Sequence, residues 1–151
     1  MISGVIERAK YVASFVDADL AKVYLKHPRQ SATDPSQCLD AAIQWICRAQ
    51  DATPDGGVAR SFGFVYQPFF RCKGWVASYP ETTGYIIPTM FDYARESGRQ
   101  DLFDRAVRMA DWECDVQMAN GAVQGGTVAQ PASPAVFNTG QVIFGWVRAY
   151  Q

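Results

Sequence analysis

The sequence predicts an all-α chain built from repeated helical hairpins, and three observations carry that prediction. Apolar residues recur at the helical period in five separate stretches, proline, glycine and capping residues punctuate them, and the chain matches itself across a shift of 67 residues. With 151 residues, 48% of them apolar, the chain is long enough to bury a continuous core. One helical domain over residues 1–151 is expected, divided into an N-terminal helix within 1–27 and two repeat units over 34–151.

From Ile2 to Tyr24 the apolar positions Val5, Ile6, Ala9, Val12, Ala13, Val16 and Leu20 trace one helical face, which Pro28 stops. Asp34 before Pro35 reads as an N-cap followed by proline at the first helical position, opening a helix through Leu39, Ile43 and Ile46 to about Gln50. Residues 58–80 have no helical period and are crowded with rings, among them Phe62, Phe64, Phe69 and Trp75. They predict a long irregular loop holding at most a short hairpin. A helix over Glu81–Ser97 is capped by Gly98, with Pro88 tolerated only near its start or as a kink. Asp101 is read as the cap of a helix reaching Gln117. The last helix, Phe137 to Tyr150, is apolar on more than one face and is expected to be buried from several sides.

Fourteen basic and fifteen acidic residues nearly cancel, and no run of Lys or Arg exceeds two, which argues against nucleic acid and anionic lipid as partners. Glu7 and Arg8 interrupt the first apolar stretch, which argues against a signal peptide, and no stretch has the apolar length of a membrane span. A cytoplasmic protein is expected. Cys38, Cys47, Cys72 and Cys114 are spread along the chain, and buried free thiols fit them better than a disulfide framework. With His27 as the single histidine, read as a solvated end residue, and no CxxC pair, neither a metal site nor a cofactor is expected.

The internal match is the most informative feature. Ala42–Gln50 aligns with Met109–Gln117, so that Trp45, Cys47 and Gln50 recur as Trp112, Cys114 and Gln117. Asp55-Gly56-Gly57-Val58 then aligns with Asn120-Gly121-Ala122-Val123, and Thr83-Gly84-Tyr85-Ile86-Ile87 with Thr139-Gly140-Gln141-Val142-Ile143. The unit is a helix, an Asp/Asn-Gly turn, a loop, Thr-Gly and a second helix. Units of this kind bury their apolar faces on neighbours, and two copies are few to close a structure.

The motifs Trp45–Gln50 with Asp55-Gly56-Gly57, Ser78-Tyr79-Pro80-Glu81-Thr82-Thr83-Gly84-Tyr85, and Phe137-Asn138-Thr139-Gly140-Gln141 resemble those of α/α-toroid proteins. That superfamily includes six-hairpin glycosidases, sugar epimerases and helical proteins of polysaccharide gene clusters. The resemblance covers roughly residues 37–151 and implies a partial toroid, because a complete one resembles twelve alternating helices. It implies a carbohydrate-related protein of polysaccharide metabolism, a saccharide-binding or accessory unit, completed in a homo-oligomer or a larger parent chain. A glycosidase or epimerase, a terpene-cyclase-like protein and a structural oligomerisation module are the alternatives. The segment Gln50 to Gly56 resembles the Gln/Trp repeat of squalene and hopene cyclases, but Val58 stands where that repeat has tryptophan.

In such toroids the site resembles a cavity at the inner-helix ends, which maps here to Glu81 and Asp55 as catalytic carboxyls. Arg60, Trp75, Tyr79, Tyr85 and Asn138 are then the saccharide-binding residues around them. Glycoside hydrolysis needs two carboxyl groups of unequal pKa across one bond. Each residue has a plainer reading beside this one. Glu81 in a first helical turn suits the dipole, Asp55 before two glycines suits a turn, and the rings fill cores. The second copy of the repeat replaces Asp55 with Asn120.

Overall fold

The computed structural model describes residues 5–6, 9–10, 13 and 34–151. Residues 5–6, 9–10 and 13 are helical; the rest of the expected N-terminal helix and His27 lie outside the described residues. Six elements follow: α1 (Pro35–Asp51), β1 (Phe62–Gln67), β2 (Cys72–Trp75), α2 (Pro80–Ser97), α3 (Gln100–Asp115) and α4 (Val136–Tyr150). The chain forms two compact units, one of residues 1–42 and 61–76 and one of residues 43–60 and 77–151.

The all-α expectation, and the partial toroid with it, is corrected by an antiparallel hairpin inside the first unit. β1 and β2 pair Phe62 with Trp75, Gly63 with Gly74 and Gln67 with Cys72, with an irregularity between Gly63 and Gln67. The fold is a small mixed one, helices plus a two-stranded sheet. Its cause lies in side-chain pairing: the Phe62 ring meets Trp75 across the hairpin edge-on at 5.0 Å and Phe64 along its own strand at 5.3 Å, and these aromatic contacts compensate for two strand glycines.

The helices follow their caps. Asp34 accepts from Ser36 N at 3.4 Å, and its carbonyl accepts the first helical bond from Cys38 N. Tyr79 is extended before Pro80, as a residue before proline must be, and α2 ends at Gly98 in the left-handed region with φ 67°. Pro88 lies in mid-helix and cannot donate to the Gly84 carbonyl. That carbonyl faces Gly145 of α4 so closely that a Cβ there would lie 2.6 Å from it. The proline is thus accommodated at a helix crossing. For α3 the cap is Arg99, not Asp101; Asp101 is the second helical residue and pairs with the Arg99 guanidinium at 2.6 Å.

Within the second unit, α2 packs against both α3 and α4. Ile43, Val58, Ile87, Met90, Leu102, Met109, Val123 and Val142 form its core, each at most 2% exposed. Arg105 on α3 holds Asp51 at the end of α1 in a two-pronged pair at 2.7 and 3.0 Å, and Arg148 on α4 holds Asp92 on α2 at 2.7 Å. The expectation that α4 is buried from several sides is corrected: its buried residues are Asn138, Val142 and Gly145, while Phe137, Ile143, Phe144 and Val147 stay exposed. The thiol expectation is corrected in part. All four cysteines are free, but Cys38 and Cys114 are exposed.

Candidate functional site

Tyr79 organises the expected site. Its extended backbone, fixed by Pro80, places the phenol beside the first turn of α2, where the hydroxyl donates to the Glu81 carboxylate. The Asn138 amide, 5% exposed in the first turn of α4, donates to the same phenol oxygen and to the Gln124 carbonyl, each at 3.2 Å. The Arg60 guanidinium lies 5.4 Å from the centre of the Tyr79 ring. Burial, and then the bond to Glu81, raises the Tyr79 phenol above its ordinary value, so it stays a neutral donor throughout the physiological range.

Asp55 serves the turn beneath this cluster. Its Oδ1 accepts from the Ser78 hydroxyl at 2.7 Å and from Gly57 N at 3.1 Å, joining the turn after α1 to the segment entering α2. The second loop is pinned to the same segment, since Val128 N donates to the Ser78 carbonyl at 3.0 Å. Gln124, itself buried, donates to the Thr127 carbonyl at 2.6 Å and so closes that loop.

Four of the seven expected site residues, Arg60, Tyr79, Glu81 and Asn138, therefore form one contiguous cluster in the second unit. Asp55 is linked to the backbone beside it through Ser78 and makes no hydrogen bond to Glu81. Tyr85 stands 45% exposed on α2. Trp75 belongs to the hairpin unit, where it packs on Phe62.

One residue that sequence reasoning passed over is chemically the most unusual of all. Glu113 on α3 is 0% exposed, and neither carboxyl oxygen has a hydrogen-bond partner. Burial pushes its carboxyl up to about 9, so it is held protonated at neutral pH. The repeat contains the signal: Glu113 aligns with Ile46, a polar residue at an apolar position. Gln124, also buried, was passed over, and nothing local distinguishes it; Ser78, buried as well, stood at the head of the Ser78–Tyr85 motif without a role of its own.

Among the described residues no group of three or more His, Cys, Asp or Glu side chains is placed to hold a metal ion. No helix among them is long and apolar enough to cross a membrane. Compared with known proteins, the chain matches no family model, no curated protein and no solved structure.

Proposed function

We propose that the cluster of Arg60, Tyr79, Glu81 and Asn138 binds a saccharide, and that the protein acts as a carbohydrate-binding or accessory unit. The observation that carries the reading is the phenol of Tyr79 held between the Glu81 carboxylate and the Asn138 amide, with Arg60 at the ring. Sugar hydroxyls are both donors and acceptors, and a carboxylate, an amide and a guanidinium fixed beside an aromatic surface offer partners for both roles. Glu81 and Tyr79 are half-buried, which leaves part of each within reach of a ligand while limiting competition from water.

Binding is favoured over hydrolysis because the second carboxyl that hydrolysis requires is engaged elsewhere: Asp55 is committed to Ser78 and Gly57. Free thiols at all four cysteines support a reducing, cytoplasmic setting. The exposed apolar face of α4 supports a protein that works with further copies or within a longer chain.

Calorimetric titration with a panel of neutral and acidic mono- to tetrasaccharides tests the reading. Binding that weakens about tenfold in Glu81→Gln and in Arg60→Ala, with unchanged melting temperature, is the expected result, as for polar groups that contact ligand directly. Binding unaffected by both substitutions would place the ligand elsewhere, and a panel without a single binder would remove the proposal.

A further inference from the structure

The first copy of the repeat carries a face that the second copy covers. A Cβ on Gly57 would lie 2.6 Å from the Trp112 ring, and one on Gly84 would lie 2.7 Å from Val142 Cα. Gly145 reciprocates by backing onto the Gly84 carbonyl and Ile87. In this internal junction the second copy therefore contributes Trp112, Val142 and Gly145, and the first receives them on Gly57, Gly84 and Ile87.

Moving each residue along by the repeat gives the same receiving face on the second copy: Ala122, Gly140 and Ile143. It is open. Gly140 has no atom within 4 Å of where a Cβ would stand, and Ile143 is 48% exposed. A groove lined by Asn120, Ala122, Val136, Gly140 and Ile143 runs along it. Glycine inside a helix is unfavourable unless another chain segment must approach closely, and at Gly84 that approach is seen. At Gly140 the described residues of this chain supply none. The contributing face recurs as well. Trp45, the counterpart of Trp112, is 45% exposed beneath the Arg48 guanidinium, whereas Trp112 is 4% exposed, and Thr89, the counterpart of Gly145, is exposed.

We propose that a second copy of this chain occupies the groove, head to tail, with Trp45 of one copy set over Ala122 of the next and Ile86 over its Gly140. Such a contact uses two different faces, so it continues into a ring or a row of copies. Ala122 stands where the internal junction has Gly57, and Thr89 where it has Gly145. Both add bulk at the closest contacts, so the association is weaker than the internal junction and depends on concentration. The inference stands on the repeat and is independent of the saccharide reading.

Sedimentation of the wild-type chain over a concentration series should show an average mass that rises with concentration. Trp45→Arg and Gly140→Trp should each weaken association about tenfold or more, as loss or blockage of a tryptophan anchor does. Gly140 has room for a side chain and Trp45 is 45% exposed, so the helical circular dichroism should be retained; Ile143→Glu tests the same face should Gly140→Trp misfold. The decisive arm is an equimolar mixture of the two variants, which keeps one intact pair of faces and should form dimers and nothing larger. A wild-type chain that stays monomeric at every concentration overturns the proposal. So do variants that assemble like wild type, and so does a mixture that stays monomeric, which would mean that the contact joins two identical faces.

Discussion

Gln50 and Gln117 make the same hydrogen bond in two successive copies of one unit: Gln50 Nε2 donates to the Gly56 carbonyl at 3.0 Å, and Gln117 Nε2 donates to the Gly121 carbonyl at 2.9 Å. The correspondence extends through the unit. Val58 N donates to Thr83 Oγ1 at 2.9 Å and Val123 N to Thr139 Oγ1 at 3.0 Å, while each threonine hydroxyl returns to the carbonyl four residues earlier. Even the backbone bonds are paired, Tyr79 N to the Val58 carbonyl and Ala135 N to the Val123 carbonyl. Matched polar contacts at matched positions are the physical content of the repeat.

The two glutamines nevertheless carry unequal loads. Gln50 is 4% exposed, and its amide also donates to the Arg105 carbonyl and accepts from the Arg105 guanidinium, whereas Gln117 is exposed. Gln50→Ala should therefore cost about 2–3 kcal/mol, because it strands buried partners. Gln117→Ala should cost about 0.5 kcal/mol or less. Urea unfolding of both variants checks the difference, and equal costs would contradict the burial asymmetry.

The repeat predicts opposite outcomes for one substitution at matched glycines. Gly84→Ala places a methyl against the Val142 backbone, which cannot rotate away, and should destabilise by about 1–3 kcal/mol. Gly140→Ala enters open space inside a helix and should stabilise by up to about 1 kcal/mol in the dissociated chain. Thermal unfolding at low protein concentration reads both signs directly.

A third expectation concerns the ion pair between the helices. Arg105 serves Asp51, Gln50 and the Cys47 carbonyl together, while Asp51 is 60% exposed. Asp51→Asn should cost well under about 1 kcal/mol and its effect should fade in salt. Arg105→Ala should cost more and keep most of its effect in salt, since it also uncovers buried amide groups. Denaturation at low and high sodium chloride separates the two.

What was legible in the sequence follows the range of each signal. Caps and breakers act on neighbours, so Asp34-Pro35 and Gly98 mark α1 and α2 to within a residue. The sequence allows a short hairpin within residues 58–80 but does not place its strands, because Phe62-Gly-Phe-Val-Tyr-Gln does not alternate cleanly and its stabilising partner, Trp75, is contributed by a second strand. Periodicity locates the apolar faces of α4 but does not say which of them a neighbour covers, so its one-sided burial could not be read. Tyr79 and Glu81 meet across two residues and are visible together. Asn138 reaches them only through the packing of α4 on α2, although Thr-Gly at both helix starts had placed it near.

Glu113 gives the clearest prediction about pH. Its folded-state carboxyl is raised from its ordinary value of 4.5 to about 9, so the native state binds a proton that the unfolded chain releases. Between those two values the unfolded state holds fewer protons, and stability falls as pH rises. The contribution is fully present below 4.5 and is lost on the way to about 9, at roughly 1 kcal/mol per pH unit. Glu113→Gln has nearly the same shape and cannot ionise. It should match the wild type well below pH 4.5, where the carboxyl is protonated in the folded and the unfolded chain alike, and should exceed it increasingly as the pH rises above that value. Glu113→Met, which restores the apolar character of Ile46 at the matched position, should be more stable than wild type throughout, because it leaves no buried oxygen unsatisfied. Urea midpoints measured at half-unit pH steps decide the matter: a wild-type curve that stays flat or rises over this range would mean that the buried carboxylate gains a compensating partner when it ionises.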